Sequence, residues 1–246
     1  MKILLIIATH GNEKIGLKVV KEIEKLHINN LIIQIGNKKA LELNKRYIDQ
    51  DLNRSFPGKK NGNYEERRAF ELIPIIKSAD LVLDIHSTTS DTKNTLIVNK
   101  INKETLGCIK SIQPKYVVIM KKSKNSLISQ AKIGISFEYG KDNDMITIKK
   151  TIVDIKKLLN YLGLIKTKSP KNKTTTKYFN VSSIVPKPKG YKLIKKVKNY
   201  TLIRRGDAYA ASKNKKLTAE EDFYPILFGE KNYKDYFGFK GEKIKY

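Results

Sequence analysis

The stretch ILLIIATHGNE, residues 3–13, places six consecutive apolar residues directly before a polar turn that carries His10 and Glu13. A short apolar run that ends in a turn is typical of a fully buried β-strand. Open α/β sheets bind ligands just beyond the ends of such strands. Taken alone, a His-x-x-Glu pattern is also common in solvated turns, so both interpretations stay open at this point.

Downstream of this strand the chain alternates between helical and strand patterns. Apolar residues recur at helical spacing from Ile15 to Leu26, and a long helical pattern covers residues 142–162. A further helix beginning near residue 64 meets Pro74, which should bend or end it. This alternation predicts an α/β fold with a sheet flanked by helices. The predicted strands cover residues 31–36, 81–86, 96–99, 116–120 and 133–139.

The composition changes at TKSPKNKTTTK, residues 167–177, which is polar, rich in lysine and almost free of apolar residues. Such a segment is typical of a linker. Short β-like runs separated by turns follow it to the end of the chain. We therefore predict an α/β domain at residues 1–166, a linker at 167–177 and a small, mostly β domain at 178–246. A chain of 246 residues is long enough for both.

The net charge of +26, from 50 Lys and Arg against 24 Asp and Glu, would attract anionic partners. Lysine is scattered along nearly every segment, which favours a compositional bias over a dedicated binding surface. No helix-turn-helix, zinc-finger or RNA-recognition signature is recognisable in the sequence. Non-specific binding of nucleic acid stays an alternative.

The single cysteine, Cys108, excludes an internal disulfide framework and indicates a reducing compartment. We expect it to be a buried structural thiol. The apolar run at residues 3–8 is too short for a secretory signal, and no segment reaches the roughly 20 apolar residues of a membrane span. We expect a cytoplasmic protein that does not contact a membrane.

A second histidine, His86, ends the apolar run LVLDIH and is followed by the polar residues Ser-Thr-Thr. Two of the three histidines thus lie where a predicted buried strand meets a polar turn. Together with Glu13 they would form a three-ligand zinc site with one open position, as in catalytic zinc centres. His27 lies at a helix end without such a setting, and we expect it to be structural or at the surface.

Two other segments carry charge in informative places. Glu138 lies in the apolar run ISFEYG. A carboxylate buried there needs a charged or hydrogen-bonding partner, or a catalytic role that accounts for the cost of burying it. An ion pair with a lysine would satisfy it; the functional alternative is a general base that deprotonates the attacking water. The polar loop at residues 46–58 carries two arginines and an asparagine. Arginine suits both carboxylate recognition and stabilisation of a developing oxyanion.

Four motifs, THGNE, RYIDQDLNRSFPG, DIHSTT and ISFEYG, occur in this order and resemble the aspartoacylase and succinylglutamate desuccinylase family. This family is a branch of the zinc carboxypeptidase-like hydrolases. The resemblance covers the first 140 residues, and DFYPILFGEKNYKDYF near the end is similar to the C-terminal β-domain segment of the family.

The resemblance implies a fold, a cofactor and roles for individual residues. The fold is a zinc carboxypeptidase-like mixed sheet flanked by helices, with a small, mostly β C-terminal domain, and the cofactor is one Zn²⁺ per chain. The implied roles are zinc ligation by His10, Glu13 and His86, general base catalysis by Glu138, oxyanion stabilisation by Arg46, α-carboxylate binding by Asn53 and Arg54, substrate contact by Tyr233, and orientation of a ligand histidine or an arginine by Asp51.

The sequence departs from aspartoacylases at Ile128, where those enzymes carry an arginine ten residues before the base that grips the substrate's side-chain carboxylate. Four lysines lie nearby, but a lysine does not provide the bidentate fork of an arginine. Hydrolysis of N-acetylaspartate therefore does not follow from the resemblance. The lysines are Lys121, Lys122, Lys124 and Lys132.

The function predicted from these residues is zinc-dependent hydrolysis of the amide bond of an N-acyl amino acid, a small anionic substrate. One alternative is a metallocarboxypeptidase that trims short peptides with the same metal and carboxylate-binding groups. The other is a nucleic-acid-binding protein without catalytic activity on a hydrolase scaffold. Oligomeric state, acyl group, amino acid and physiological metal stay open.

Overall fold

The computed structural model describes residues 1–89, 92–167, 174–213, 215–230 and 232–246. Within these ranges the chain forms twelve β-strands and five α-helices. The helices are α1 (Ile15–Ile23), α2 (Lys38–Glu42), α3 (Tyr64–Ser78), α4 (Lys103–Ile112) and α5 (Met145–Tyr161). The strands are β1 (Ile3–Ile7), β2 (Leu31–Ile35), β3 (Leu81–His86), β4 (Thr95–Val98), β5 (Tyr116–Ile119), β6 (Ile133–Glu138), β7 (Lys177–Pro186), β8 (Lys192–Leu193), β9 (Ala208–Ala211), β10 (Lys216–Thr218), β11 (Tyr224–Ile226) and β12 (Tyr236–Ile244).

Nine of these strands form one mixed sheet in the order β11-β12-β7-β5-β4-β6-β3-β1-β2. The neighbours β2, β1, β3 and β6 are parallel, whereas β4 is antiparallel to β6 and β12 is antiparallel to β7. Strands β8, β9 and β10 form a separate small sheet. The predicted fold class, a mixed α/β sheet flanked by helices with a small C-terminal β region, is confirmed.

Both faces of the sheet are buried, as strand β1 illustrates. Its side chains alternate between two hydrophobic clusters: Leu4 and Ile6 belong to one, and Ile3, Leu5 and Ile7 to the other. All five are at most 2% exposed. Successive side chains of a strand point to opposite faces, so an uninterrupted apolar run requires cover on both sides. The run at residues 3–8 is therefore a strand covered on both faces, next to the edge strand β2.

The parallel strands β1, β3 and β6 are adjacent, so their carboxyl ends meet at one edge of the sheet. His86 and Glu138, the last residues of β3 and β6, are paired directly in the register of these strands. The turn with His10 and Glu13 follows β1 at the same edge. The topology alone thus brings three of the quoted motifs together.

The structure adds detail to the secondary structure predicted from the sequence. Helix α3 continues through Pro74 to Ser78, so the proline does not end it. Helix α4 was not predicted. Of the predicted linker, residues 168–173 lie outside the described ranges, and its last residue, Lys177, begins β7. Strands β7, β11 and β12 extend the main sheet, and the division into two domains stays a prediction.

Cys108 lies in α4 and is 2% exposed, in agreement with the expected structural thiol. Burial raises the pKa of this thiol to about 11, which keeps it protonated and unreactive. Among the helices of the described ranges, none combines the length and the apolar character that a membrane crossing needs.

Candidate metal centre and substrate cavity

Three side chains that could hold a metal ion converge beyond the carboxyl ends of β1 and β3. Nδ1 of His10 lies 2.7 Å from Oε1 of Glu13, and Nδ1 of His86 lies 2.9 Å from Oε2 of the same carboxylate. The potential ligand atoms of the three residues lie within 4.8 Å of one another, and all three residues are buried. The structure thus brings together the residues that the sequence predicted as metal ligands.

The turn that presents His10 and Glu13 is compact and closely packed. The backbone N–H of Glu13 donates to the carbonyl of His10 at 3.0 Å, which closes the turn. Gly11 packs against helix α2, where a Cβ atom would lie 2.0 Å from the carbonyl carbon of Ala40. Only glycine fits this contact, and the close packing fixes the direction of the two flanking side chains.

Each histidine is held by a second carboxylate on its far ring nitrogen. Nε2 of His10 lies 3.0 Å from Oδ1 of Asp51, and Nε2 of His86 lies 2.7 Å from Oδ2 of Asp84. Thr9 donates a hydrogen bond of 2.7 Å to Asp84 and so holds this carboxylate in turn. Carboxylates in these positions fix the ring orientation and tautomer of metal-binding histidines.

The position of Asp51 agrees with its predicted orienting role, whereas Asp84 was missed by the sequence reasoning. Its signal was the spacing in LVLDIH, because residues two apart in a strand share one face of the sheet. Asp84 therefore lies beside His86 on strand β3, and it is fully buried.

The electrostatics of the cluster suit a divalent cation. Burial lowers the pKa of His10, but Glu13 and Asp51 outweigh it and raise this pKa above its ordinary value. At His86 burial is likewise outweighed by Asp84 and Glu13, and the pKa is raised strongly. Burial opposes ionisation of Glu13, yet both imidazoles hold its pKa well below the usual range. Two imidazoles surrounded by three carboxylates attract positive charge, and a cation bound at Nδ1 would replace the protons.

Glu138 lines the same site from the end of β6. Burial raises the pKa of Glu138 to about 7; the charge of His86 opposes this shift, and that of Glu13 adds to it. Among the described residues, no lysine or arginine forms an ion pair with this carboxylate. The alternative that Glu138 serves only in an ion pair with a lysine therefore has no support. A carboxylate with a pKa near neutrality is suited to accept and return a proton.

The loop after α2 brings Arg46, Asn53 and Arg54 to the site. Arg46 donates to Oε1 of Glu13 at 3.3 Å and to Oδ2 of Asp51 at 3.1 Å. Oδ1 of Asn53 accepts a hydrogen bond of 2.8 Å from the backbone N–H of Leu127, which fixes the orientation of the amide. Burial lowers the pKa of Arg54, but Asp51 outweighs it and raises this pKa, so the guanidinium stays charged.

The conformation of this loop is fixed by Glu65, which the sequence reasoning did not single out. Its carboxylate accepts hydrogen bonds from the backbone N–H groups of Ile48, Asp49 and Gln50 at 2.7, 2.9 and 3.2 Å. It also accepts one from Nδ2 of Asn37 at 2.9 Å. Glu65 is fully buried in the first turn of α3. In the sequence Glu65 is an acidic residue directly after the loop. An acidic residue at this position is also common in the first turn of a helix, so nothing in the sequence linked Glu65 to the loop.

Tyr233 lies at the same site although it is far away in sequence. It lines the cavity together with Arg46 and Glu138, and its ring stacks on Tyr236 with 4.1 Å between centroids. Burial raises the pKa of Tyr233 far above its usual value, so the hydroxyl stays protonated as a hydrogen-bond donor. Of the residues predicted for the site, His10, Glu13, Arg46, Glu138 and Tyr233 line this cavity. His86 and Asp51 contact the ligand cluster from outside its wall.

Comparison with known proteins identifies the group to which the chain is related. The sequence profile of the succinylglutamate desuccinylase/aspartoacylase catalytic domain matches residues 1–162. The chain belongs to this family. The match includes the ligand cluster, the loop with Arg46 and the strand with Glu138.

Curated members of the family align with part of the chain. A probable aspartoacylase of Nostoc sp. is 33% identical over 56% of this chain and 55% of its own length. A probable aspartoacylase of Acaryochloris marina is 30% identical over 76% of this chain and 73% of its length. An N-acyl-aromatic-L-amino acid amidohydrolase (carboxylate-forming) of Xenopus tropicalis is 32% identical over 47% of this chain and 43% of its own length. The alignments thus span about half the length of the Nostoc and Xenopus relatives.

Solved structures of the family share the fold over the whole chain. Murine aminoacylase 3 superposes with a TM-score of 0.84 at 19% identity and covers 99% of this chain and 95% of its own. A succinylglutamate desuccinylase/aspartoacylase of Rhodobacter sphaeroides superposes with a TM-score of 0.78 at 15% identity and covers 99% of this chain and 86% of its own. The C-terminal β region, which lies beyond the matched catalytic domain, therefore belongs to the shared fold.

The site of this family member opens into two adjoining cavities. The outer cavity has a volume of about 480 Å³, and most of the residues that line it are polar, among them Ser87, Lys141 and Asn232. The inner cavity has a volume of about 70 Å³, and its wall includes Asn53 and Arg54. The residues common to both walls are His10, Arg46, Glu138, Leu227 and Tyr233.

Proposed function

We propose that this protein is a zinc-dependent amidohydrolase that cleaves the amide bond of an N-acyl amino acid. The observation that carries the proposal is the convergence of a potential three-ligand metal site with a buried carboxylate and an arginine around one cavity. Membership of the family supports the reaction class. The relatives that are named as acting on N-acylated amino acids support the substrate class.

The residues present fit a zinc ion. Two imidazole nitrogens and a carboxylate form the donor set of many catalytic zinc sites, and this set leaves a position open. The outer carboxylates of Asp51 and Asp84 complete the arrangement usual for such histidines. When bound, Zn²⁺ supplies a Lewis acid that polarises the substrate carbonyl and lowers the pKa of water to about 7.

The chain's own residues divide the remaining tasks. Asn53 and Arg54 would bind the α-carboxylate of the substrate and so place the amide bond beside the ligand cluster. Arg46 would donate to the carbonyl oxygen as negative charge develops there; removal of such a donor costs about 10²–10³ in turnover. Glu138 would accept a proton from the attacking water and deliver it to the leaving amine. The protonated Tyr233, which lines both cavities, would donate a hydrogen bond to the substrate.

Metal affinity is expected to depend steeply on pH. Each imidazole must lose its proton before it binds a metal, and both have raised pKa values. Metal affinity should therefore fall as the pH decreases. Each proton that the metal must displace contributes a factor of about ten per pH unit, so the fall reaches roughly 100-fold per pH unit where both His10 and His86 are protonated. Competition with a chromophoric chelator at pH 6, 7 and 8 measures this. A constant affinity over that range would show that the two imidazoles do not bind the metal.

The loop anchor Glu65 offers a second test. In Glu65→Gln an amide N–H₂ group replaces one acceptor oxygen and faces backbone N–H donors of the loop. We expect kcat/KM to fall by about 10- to 100-fold, because small misplacements of catalytic groups are costly. At saturating zinc the variant should still bind one equivalent of metal, since none of the three potential ligands belongs to the loop.

The neighbouring Glu66 is the matched control for Glu65. It caps helix α3 through the backbone N–H of Asn63 at 3.0 Å and pairs with Lys59 at 2.8 Å, and its carboxylate accepts none of the loop N–H groups that Glu65 binds. Glu66→Gln should lower the free energy of unfolding by about 1 kcal/mol and leave kcat/KM unchanged. An equal loss of kcat/KM in both variants would mean that the integrity of the helix, and not the anchoring of the loop, is being measured.

A substrate panel separates the proposal from its two alternatives. Release of free amine is measured for N-acetyl amino acids and for unblocked dipeptides, and binding of single-stranded DNA and RNA is measured at moderate ionic strength. The amidohydrolase predicts chelator-sensitive release from the N-acetyl amino acids. Preference for dipeptides would favour the carboxypeptidase, and salt-sensitive nucleic-acid binding without amine release would favour the binding protein. In the amidohydrolase the charge of +26 would draw in anionic substrate at a rate that falls with salt.

A further inference from the structure

The segment that follows the base, residues 139–143, makes contacts that the proposed reaction does not use. It begins directly after Glu138, the last residue of β6, and its members Lys141, Asp142 and Asn143 line the outer cavity. In the proposed function Glu138 has to be kept at a fixed distance from the ligand cluster, because misplacement of a catalytic group by about 1 Å can cost about 100-fold in rate.

The main sheet connects Glu138 directly to one of the three potential ligands. Strand β3 lies between β6 and β1 in the strand order, and its last residue, His86, is paired with Glu138. The other two potential ligands, His10 and Glu13, lie in the turn after β1, one strand further away. A contact that reaches past β3 would fix the base relative to this turn.

Asp142 provides such a contact. Its Oδ1 accepts a hydrogen bond of 2.6 Å from the backbone N–H of Ile15, the first residue of α1 and the second residue after Glu13. The N-cap residue of this helix, Lys14, forms no side-chain capping bond, so Asp142 satisfies a backbone donor that a helix leaves unpaired in its first turn. A carboxylate in this position is also favoured by the helix dipole. Asp142 thus joins the segment after the base to the turn with the two ligands.

The other end of the segment is anchored on helix α5. The hydroxyl of Tyr139 donates to Oδ2 of Asp154 at 2.8 Å, and both residues are buried. Asp154 also pairs with Lys150 and, at 3.1 Å, with Lys157. Burial raises the pKa of Tyr139 well above its ordinary value and Asp154 adds to this shift, so the hydroxyl stays protonated as a donor. Because Tyr139 directly follows Glu138, this network fixes the backbone beside the base.

Two further hydrogen bonds hold the residues on either side of Tyr139. The carbonyl of Glu138 accepts one of 2.8 Å from Oγ1 of Thr92, and the carbonyl of Gly140 accepts one of 2.8 Å from the backbone N–H of Thr88. Residues 138–140 are therefore held at three consecutive positions. The bond from Asp142 to Ile15 transmits the position of this rigid stretch to the ligand turn.

We propose that Asp142 is a positioning residue that sets the distance between the base Glu138 and the ligand turn with His10 and Glu13. It acts through the position of Ile15 and not through contact with the substrate. Tyr139, held by Asp154, forms the fixed end of the same connection. This role deepens the proposed function and rests on it.

Substitutions of Asp142 test this role. Asp142→Ala removes the bond to Ile15, whereas Asp142→Asn keeps an acceptor oxygen for it. With the zinc-saturated protein and the best-cleaved N-acetyl amino acid of the panel, kcat of Asp142→Ala should fall by about 10- to 100-fold at unchanged KM. Asp142→Asn should keep at least about half of the native kcat, because asparagine and aspartate cap helices about equally well. Both variants should bind one equivalent of zinc, since Asp142 is not a potential ligand.

Asp144→Ala is the matched control, two residues further along the chain. Asp144 is the N-cap of α5, accepts a hydrogen bond of 3.0 Å from the backbone N–H of Ile146 and lines neither cavity. Loss of a helix cap should lower Tm by about 2–4 °C in Asp142→Ala and in Asp144→Ala alike. We expect kcat to fall in Asp142→Ala and to stay native in Asp144→Ala. A purely structural role would give both variants the same kcat.

Hydrogen exchange gives a readout that does not depend on activity. The backbone N–H of Ile15 should exchange at least about tenfold faster in Asp142→Ala than in the native protein, because it has lost its acceptor. In Asp142→Asn and in Asp144→Ala it should exchange at close to the native rate. Native exchange in Asp142→Ala would show that this contact does not hold the start of α1, and would overturn the inference.

Tyr139→Phe tests the fixed end of the connection. It removes the hydroxyl bond to Asp154 and keeps the ring, and the bonds to the carbonyls of Glu138 and Gly140 still hold the backbone. We therefore expect a smaller loss of kcat, about three- to tenfold, at unchanged KM. Tyr178→Phe is the control, because Tyr178 is a buried tyrosine of the same hydrophobic cluster and lines neither cavity. It should keep the native kcat.

The outcomes separate this inference from the proposed function. Native kcat in Asp142→Ala, or an equal loss in Asp142→Ala and Asp142→Asn, would overturn the inference and leave the amidohydrolase in place. A rise in KM at native kcat would overturn it as well, because Asp142 would then contact the substrate in the outer cavity. Loss of zinc from Asp142→Ala would overturn it by showing that Asp142 supports the ligands themselves. Absence of amine release by the zinc-saturated native protein would overturn the proposed function, and the role of Asp142 with it.

Discussion

Replacement of Glu138 by glutamine is expected to lower kcat by about 10²–10⁴ while zinc stays bound. The amide keeps the shape of the carboxylate but cannot accept a proton from the attacking water. Burial holds the pKa of Glu138 at about 7, so the native carboxylate can both accept the proton and release it to the amine. Glu138 is not one of the three potential ligands, so metal content should not change. Steady-state kinetics and metal analysis of the same sample measure both quantities.

The control for this variant is Glu242→Gln, which makes the same change at an exposed position of β12 and should keep full turnover. If Glu138→Gln retains more than about a tenth of the native kcat, another group accepts the proton. Loss of zinc from this variant would instead place Glu138 among the groups that hold the metal.

Replacement of His86 by alanine is expected to weaken zinc binding by more than about 100-fold and to abolish turnover at limiting zinc. The change removes one of three potential ligands and leaves Asp84 buried without its partner at 2.7 Å. Loss of a buried partner of this kind also lowers the free energy of unfolding, by about 3 kcal/mol. Zinc content after dialysis and thermal unfolding with and without added zinc measure the two effects separately.

His27→Ala provides the matched control, because His27 lies at the end of the short helical turn after α1 and outside the ligand cluster. Zinc content and kcat should be those of the native protein. Native zinc affinity in His86→Ala would remove His86 from the ligand set, and a loss of zinc in His27→Ala would mean that the site had been placed wrongly.

The central part of the fold could be predicted because its signals are local. The run at residues 3–8 is apolar at every position, which only a strand buried on both faces requires. His10 and His86 each follow such a run, so the common edge of a parallel sheet followed from the pattern. Glu13 and Glu138 were also singled out from the pattern, and the resemblance then assigned individual roles and added Tyr233 to the site.

The contacts that complete the site depend on pairing between distant segments, which no local pattern encodes. Strand β7 joins the main sheet beside β5, about 60 residues earlier in the chain, and brings β11 and β12 with it. The polar composition of residues 167–177 gave no sign of this pairing. Glu65 looked like an ordinary helix residue, because its importance lies in which backbone groups it contacts.

The most direct test of the account is a zinc titration of the chelator-treated protein with an N-acetyl amino acid mixture as substrate. The account predicts no amine release without metal, a linear rise with added Zn²⁺ and saturation at one equivalent per chain. Glu138→Gln should bind the same single equivalent and release almost no amine. Amine release by the metal-free protein, or none at saturating zinc with the ion bound, would contradict the assignment as a zinc amidohydrolase.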